Sequence, residues 1–160
     1  MNLKVKLLIG FCIVTVLSGC TDNTVYDKYQ AVDKEGWSLD QDLRFSVDID
    51  DTITPYDFYV DIRNTRDYAY SNLFLFITTT FPDKVERRDT LECPLADLYG
   101  KWYGRQSSRH VDGRYLLHNH VIFPIKGTYT FQVSHAMRDT VLCGIKDVGL
   151  HVEKANNSAQ

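Results

Sequence analysis

Residues 122–152 read IFPIKGTYTFQVSHAMRDTVLCGIKDVGLHV, and this stretch decides the fold. Within it Tyr129, Phe131 and Val133 alternate with polar residues, which is typical of a strand with one face on a core and the other in water. The turn from Pro124 to Gly127 is a common entry into a late strand of a sandwich domain, with a tyrosine whose ring is buried and whose hydroxyl binds backbone at the corner. The stretch therefore predicts an antiparallel β-sandwich, Ig-like or jelly-roll-like.

The rest of the chain shows the same alternation, which predicts one all-β domain over residues 25–154. One-sided strands are predicted at residues 43–50, 56–63, 114–123 and 146–153, and a more charged strand at 85–91. Residues 72–81 are apolar on both faces, which predicts a central strand covered on both sides. Helix is limited to one or two short turns. The sequence predicts these at residues 94–100, between a proline and a glycine, and at 136–142, where a bulged strand is the alternative.

The first 19 residues are predicted to be a lipoprotein signal peptide. Lys4 and Lys6 precede an apolar run of 11 residues, too short to span a bilayer, and Leu17-Ser18-Gly19-Cys20 resembles the lipobox of bacterial lipoproteins. We therefore expect acylation of Cys20, a lipid-anchored tether over residues 20–24 and a disordered polar tail over 155–160. An ordinary signal peptide, from which Cys20 merely survives, is the alternative.

Composition excludes several classes of partner. Of the 18 basic residues, removal of Lys4 and Lys6 leaves 16, against 21 acidic residues, so the mature chain has a net charge of −5. An acidic chain without a basic run argues against nucleic acid and against electrostatic attraction to anionic lipid. The acyl group is then the expected contact with the membrane.

The cysteines of the folded region, Cys93 and Cys143, form a candidate disulfide, because a lipoprotein of the envelope occupies an oxidising compartment. The alternative is that they are free, since an unpaired cysteine behaves as a small core residue. No histidine, asparagine or helix start marks either one as a catalytic thiol.

The sequence predicts no enzyme active site, no metal site and no cofactor. His118 and His120 lie two apart on a strand, as metal ligands can, but no second ligand pair accompanies them. The acidic run from Asp48 to Asp51 lacks the glycine and glutamate of a calcium loop. Ser107-Ser108 with His110 lacks the strained turn that exposes a nucleophile. A hydrolase would need two acids, or a histidine and an acid, to converge from separate strands.

The loop Gly100-Lys101-Trp102-Tyr103-Gly104-Arg105 places two aromatic residues between glycines and cations. Trp and Tyr give a large rigid contact area at small entropic cost, so Lys101, Trp102 and Tyr103, with Arg138, form a candidate partner surface. Two alternatives stay open: Trp102 tucks beneath the loop as a core residue, or the aromatics form a platform for a sugar.

Motifs along the whole mature chain resemble those of the GldH gliding-motility lipoproteins of Bacteroidetes. The similar blocks are Val25-Tyr26-Asp27, Gly36-Trp37, Arg63-Asn64-Thr65 with Asp67-Tyr68, Tyr70-Ser71-Asn72-Leu73, Asp89-Thr90-Leu91, Leu95-Ala96-Asp97, Gly100-Lys101-Trp102, Phe123-Pro124, Gly127-Thr128-Tyr129, Ala136-Met137-Arg138 and Gly144-Ile145 followed by Asp147-Val148-Gly149.

The resemblance implies a cell-envelope lipoprotein of gliding motility, which is linked to type IX secretion, and it implies no catalytic residues. Its partners would be the membrane, through Cys20, and other envelope proteins. Thr21 after Cys20 favours the outer membrane, and we expect the periplasmic face. Among the motif residues, Arg63, Asn64 and Arg138 are expected to satisfy loop carbonyls and to pair with Asp67, Asp97 or Asp147. A carbohydrate-binding lipoprotein of a polysaccharide-uptake system is the alternative.

Overall fold

The computed structural model describes residues 23–155, which form eleven antiparallel strands and no helix. The strands are Thr24–Ala31 (β1), Trp37–Ser38 (β2), Leu43–Ile49 (β3), Tyr56–Thr65 (β4), Asn72–Thr80 (β5), Glu86–Pro94 (β6), Arg105–Gln106 (β7), His110–Val121 (β8), Gly127–His135 (β9), Val141–Leu142 (β10) and Ile145–Lys154 (β11). One sheet has the order β1-β11-β4-β8-β7 and a second has the order β3-β9-β5-β6, while β10 and β2 pair separately. The predicted all-β antiparallel sandwich is confirmed.

The strand β9 has the predicted one-sided character and lies inside its sheet, between β3 and β5. The Tyr129 ring is fully buried, and its hydroxyl donates to the Ile125 carbonyl at 2.8 Å, as predicted for the corner. Gly127 opens the strand at φ +134°, and a Cβ there would lie 2.9 Å from the Pro82 ring, so both the backbone angle and the contact require glycine. The Phe58 and Phe131 rings meet across the two sheets at 5.4 Å.

The strand β5 is central, as predicted, but only one of its apolar faces lies in the core. Leu73, Leu75 and Ile77 are fully buried between the sheets. Phe74 and Phe76 point outward and are half-buried, and the Arg88 guanidinium covers the Phe76 ring at 3.9 Å from its centroid. Side chains of neighbouring segments, rather than a further layer, therefore cover the second face.

The predicted helical turns are absent from residues 23–155. Pro94 ends β6, and residues 95–103 fold into a small hairpin. Residues 136–140 form an irregular bend, followed by β10. A proline and a glycine six residues apart bound a hairpin as well as they bound a helical turn, which is why the pattern misled. At the chain's end, Ala155 was predicted to lie in the tail but is buried, and its amide donates to the Pro55 carbonyl at 2.9 Å.

One end of the sandwich, called here the proximal end, holds both chain termini of the described region. The antiparallel register pairs Thr24 of β1 with Glu153 of β11 at this end. Three short loops lie beside them: residues 50–55, 81–85 and 122–126.

The opposite end, called here the distal end, holds the longer connections. Ala31, the last residue of β1, pairs there with Asp147 of β11. The connections are residues 32–42, 66–71, 95–109 and 136–144. At about 3.3 Å per residue, the eight residues of β1 separate the two ends by roughly 26 Å.

Candidate interaction surface at the distal end

The hairpin of residues 95–103, called here the tip hairpin, projects from the distal end. Tyr103 donates its amide to the Leu95 carbonyl at 2.9 Å, and Ala96 and Trp102 form an isolated antiparallel bridge. One Asp97 carboxylate oxygen accepts from the amides of Tyr99 at 2.8 Å and Lys101 at 2.9 Å. Because an aspartate in this position fixes a turn by local hydrogen bonds, the tip is held in one conformation.

The turn exposes two large apolar side chains to solvent. Leu98 is 100% exposed and Tyr99 is 95% exposed, while Tyr103, at the base of the hairpin, is 64% exposed. Gly100 closes the turn at φ +80°, a conformation that favours glycine. Side chains of this size are seldom left wholly in water on a rigid turn, and contact between apolar surfaces drives most protein association. The tip hairpin therefore has the chemistry of a binding anchor.

Of the predicted partner surface, Lys101, Tyr103 and Arg138 are exposed, whereas Trp102 is half-buried and packs against the core. The structure supports the alternative that Trp102 tucks beneath the loop. Its ring supports the hairpin and does not form an open platform. The anchors missed by sequence reasoning, Leu98 and Tyr99, lay inside the predicted helical turn.

A short connection, residues 66–71, ties together the loops that carry these residues. The Ser71 carbonyl accepts from the amides of Leu95 at 2.8 Å and Ala96 at 2.9 Å, which docks the tip hairpin. The Tyr70 hydroxyl donates to Asp139 at 2.7 Å, next to Arg138. A groove of about 250 Å³ lies there, lined by Tyr70, Asn72, Phe74, Ala136, Met137 and Arg138. The tip hairpin and the Arg138 groove thus belong to one connected surface.

This part of the distal end is rich in cations, although the chain as a whole is acidic. The connections 66–71, 95–109 and 136–144 contain three acids, of which Asp97 is engaged in the turn and Asp139 accepts from Tyr70. Their five cations are Arg66, Lys101, Arg105, Arg109 and Arg138. The Arg105 side chain is 89% exposed, and one of its guanidinium nitrogens lies 3.8 Å from a carboxylate oxygen of Asp112. The surface around the apolar tip therefore suits an acidic partner.

The outer face of the five-stranded sheet carries a cross-strand network that the sequence did not predict. The Arg114 guanidinium donates to both oxygens of Asp61, at 2.7 and 2.8 Å, and the Tyr29 hydroxyl donates to Asp61 at 2.6 Å. Burial and the Asp61 bond raise the pKa of Tyr29 to about 12, and Asp61 raises that of Arg114. A Cβ at Gly149 would lie 2.7 Å from the Tyr29 ring, so glycine lets the ring cross β11.

The neighbouring row joins three strands in the same way. Arg63 donates to Asp112 at 2.7 Å and to Asp147 at 3.3 Å, and the Asp112 bond, its largest influence, raises the pKa of Arg63. The predicted pairing of Arg63 with Asp147 is therefore present. Asn64 instead donates to the Thr65 carbonyl at 2.9 Å, and Arg138 forms no ion pair within residues 23–155. These bonds fasten strands to one another, a role in the scaffold.

The two cysteines are free thiols, so the structure does not contain the predicted Cys93–Cys143 disulfide. Cys93 points into the core from β6, and burial raises the pKa of its thiol to about 12. Cys143 is exposed in the turn after β10, and its thiol donates to the Glu35 carbonyl at 3.7 Å. Cys93 thus behaves as the small core residue of the alternative.

The histidine pair does not converge on one point. His118 lies 3.2 Å from Asp89 across the open side of the sandwich, whereas His120 adopts φ +52° and its amide donates to Asp57 at 2.7 Å. Irregular pairing of β8 near Phe58 disturbs the alternation that would have aligned the two rings. No group of three potential metal ligands occurs within residues 23–155.

The sequence prediction of lipid attachment falls at Cys20, which lies outside the described residues, as do the signal peptide and residues 156–160 of the tail. Residues 23–155 contain no helix with the length and apolar character needed to cross a bilayer.

Comparison with known proteins gives three matches. A family model described as GldH lipoprotein matches residues 24–152, from the first residue of β1 to β11. The chain is 32% identical over 151 residues to the gliding motility lipoprotein GldH homolog of Christiangramia forsetii, covering 90% of this chain and 92% of that protein. It is 27% identical over 146 residues to the gliding motility lipoprotein GldH of Flavobacterium johnsoniae, covering 87% and 90%. The similarity therefore spans the whole sandwich and both of its ends.

Proposed function

Because the chain belongs to the GldH lipoprotein family, we propose that it is a lipid-anchored envelope protein of gliding motility that binds other envelope proteins through its distal end. It acts as an accessory or assembly factor of the gliding and type IX secretion machinery and not as an enzyme. Acylated Cys20 anchors it to the outer membrane on the periplasmic face. The observation that carries the proposal is the exposed Leu98–Tyr99 pair on the fixed turn of the tip hairpin.

The position of the tip hairpin supports this role. Residue 20 precedes the proximal end by a few residues, and the two ends are roughly 26 Å apart. An anchor at one end presents the other end to proteins beyond the headgroup layer. A rigid turn also loses little conformational entropy on binding, which favours affinity.

The charges around the tip define the partner's chemistry. Leu98 and Tyr99 would enter an apolar pocket, and the surrounding cations would face acidic side chains at its rim. Charges at a rim contribute mostly to the association rate, so association should slow as salt rises. The alternative, a sugar platform, has less support because the Trp102 ring packs against the core.

Crosslinking in intact envelopes tests the proposal. We expect the native chain to crosslink to an envelope protein through the distal end, and the Leu98→Ser/Tyr99→Ser variant to lose most of that product, at least about tenfold, because hot-spot side chains dominate binding energy. Leu116→Ser is the matched control, since Leu116 is an exposed aliphatic residue on the sheet face. Equal crosslinking by the double variant and the native chain would refute the proposal.

A further inference from the structure

Each of the three loops at the proximal end exposes one aliphatic side chain. Ile53 is 84% exposed, Val85 58% and Ile122 57%, and Val25, beside them at the start of β1, is 39% exposed. All four are aliphatic and β-branched. At the distal end, by contrast, the tip hairpin exposes leucine and tyrosine side chains near cations. The three loops thus place exposed aliphatic side chains at one end of the sandwich, next to the start of the chain's first strand.

The loops hold these side chains outward by specific hydrogen bonds. One Asp51 oxygen accepts from the amides of Ile53 at 2.8 Å and Thr54 at 3.1 Å. In the next loop, the Val85 amide donates to Asp83 at 3.1 Å, and the Phe81 amide donates to the Val85 carbonyl at 2.8 Å. Fixed turns of this kind keep Ile53 and Val85 from folding back onto the domain.

The third loop turns Ile122 outward by burying its neighbour. The Phe123 ring is 4% exposed and packs on Tyr129 at a centroid distance of 4.4 Å, so the adjacent side chain must point away from the core. Pro124, which follows, restricts the backbone on that side. Ile122 is thus exposed at the same end as Ile53 and Val85, and it also lines a cavity of about 240 Å³ with Phe123 and Pro124.

Charge at this end is mixed and partly engaged. Asp51 and Asp83 accept the amide bonds above and Asp50 is exposed, while Lys84 and Lys126 are exposed and adjoin Val85 and Ile125. Long cationic side chains next to apolar ones suit the headgroup layer, where the ammonium stays hydrated and the aliphatic group is buried.

We propose that the proximal end rests on the lipid bilayer, with Ile53, Val85 and Ile122 inserted at the boundary between the headgroups and the acyl chains. The inference rests on the proposed lipid anchor, because residues 21–23 after an acylated Cys20 span at most about 11 Å and hold this end against the membrane. The membrane is then close enough to contact all three loops at the same time. The strands then stand upright, and the distal end faces away from the lipid.

The test uses the full acylated chain reconstituted in vesicles of phosphatidylcholine carrying brominated acyl chains, which quench tryptophan fluorescence at short range. Ile53→Trp, Val85→Trp and Ile122→Trp each add one probe, and Leu116→Trp is the control on the sheet face. The native Trp37 and Trp102 lie toward the distal end and give the background. Thermal unfolding of each variant verifies the fold.

We expect the three proximal probes to lose at least about twice the fraction of emission that the Leu116→Trp probe loses. Equal quenching at all four positions would overturn the proposal, as would protection of the proximal probes by an envelope protein that co-purifies on this end. Mass spectrometry reads acylation of Cys20 separately. An unmodified chain would defeat both the anchor and the bilayer contact, whereas an acylated chain with unquenched probes would defeat the bilayer contact alone.

Discussion

The two ends of this sandwich differ in what the first connection at each end contributes to the core. At the distal end, Trp37 in the first connection is fully buried, and its ring meets His135 of β9 edge-on at 5.4 Å. At the proximal end, Ile53 of the first loop lies almost wholly in water. The comparison shows that the distal connection of residues 32–42 extends the core, whereas the proximal loop of residues 50–55 is a short turn with an exposed tip.

The largest contrast is expected between Trp37→Ala and Ile53→Ala. Trp37 also donates its indole N–H to the Gln41 carbonyl at 2.9 Å, so its removal leaves a cavity and an unpaired carbonyl. We expect Trp37→Ala to lower the free energy of unfolding by about 3–5 kcal/mol and Ile53→Ala to change it by less than about 0.5 kcal/mol. Urea denaturation of both variants measures this. Similar losses for the two would show that the ends are equally packed.

A medium effect on stability is expected where the two ends are alike, since each has a buried tyrosine whose hydroxyl donates to a backbone carbonyl. The Tyr129 hydroxyl donates to Ile125 at 2.8 Å at the proximal end, and the Tyr68 hydroxyl donates to Asn72 at 3.0 Å at the distal end. Tyr129→Phe and Tyr68→Phe should each cost about 1–2 kcal/mol, because a carbonyl loses its partner while the ring still packs. Denaturation midpoints measure both. If only one variant is destabilised, the two corners are not equivalent.

The sequence predicted the parts of this comparison that depend on local pattern. The alternation around Tyr129 correctly predicted β9 and its corner, because a strand with one buried face has an apolar residue at every second position. The edge strand β1 escaped prediction, since Val25 and Tyr29 both point to solvent and blur that period. The tip hairpin also escaped, because the choice between helical turn and hairpin depended on which amides Asp97 captured.

The cross-strand network was beyond sequence reasoning for a different reason. Asp61 and Arg114 are 53 residues apart, and they meet only because of the register between β4 and β8. The same holds for the candidate surface, where residues 66–71 connect segments that are distant in sequence. Its exposed residues Lys101 and Tyr103 could be nominated from composition, whereas the burial of Trp102 required the packed structure.

The smallest effect on stability is expected from pH, and the two ends should respond in different pH ranges. Burial, its largest influence, lowers the pKa of His135 below its ordinary 6.5, and hydrogen bonds from Thr54 and Ile53 lower that of Asp51 from 3.8 to about 2. In each window the unfolded chain binds a proton that the fold does not, so stability falls as pH falls. The distal contribution is lost from pH 6.5 downward and the proximal one between 3.8 and 2.

Variants that lack the titrating side chain assign each of the two pH ranges to one residue. His135→Leu should flatten the dependence of the urea midpoint on pH just below 6.5, and Asp51→Asn should flatten it only below pH 4. Asn keeps an oxygen for the Ile53 and Thr54 amides, so the turn survives the exchange. A midpoint that still declines below pH 6.5 in His135→Leu would move the sensitivity to other groups. It would also remove the chemical distinction between a distal end that buries a titratable ring and a proximal end whose Asp51 carboxylate is held by hydrogen bonds within its own turn.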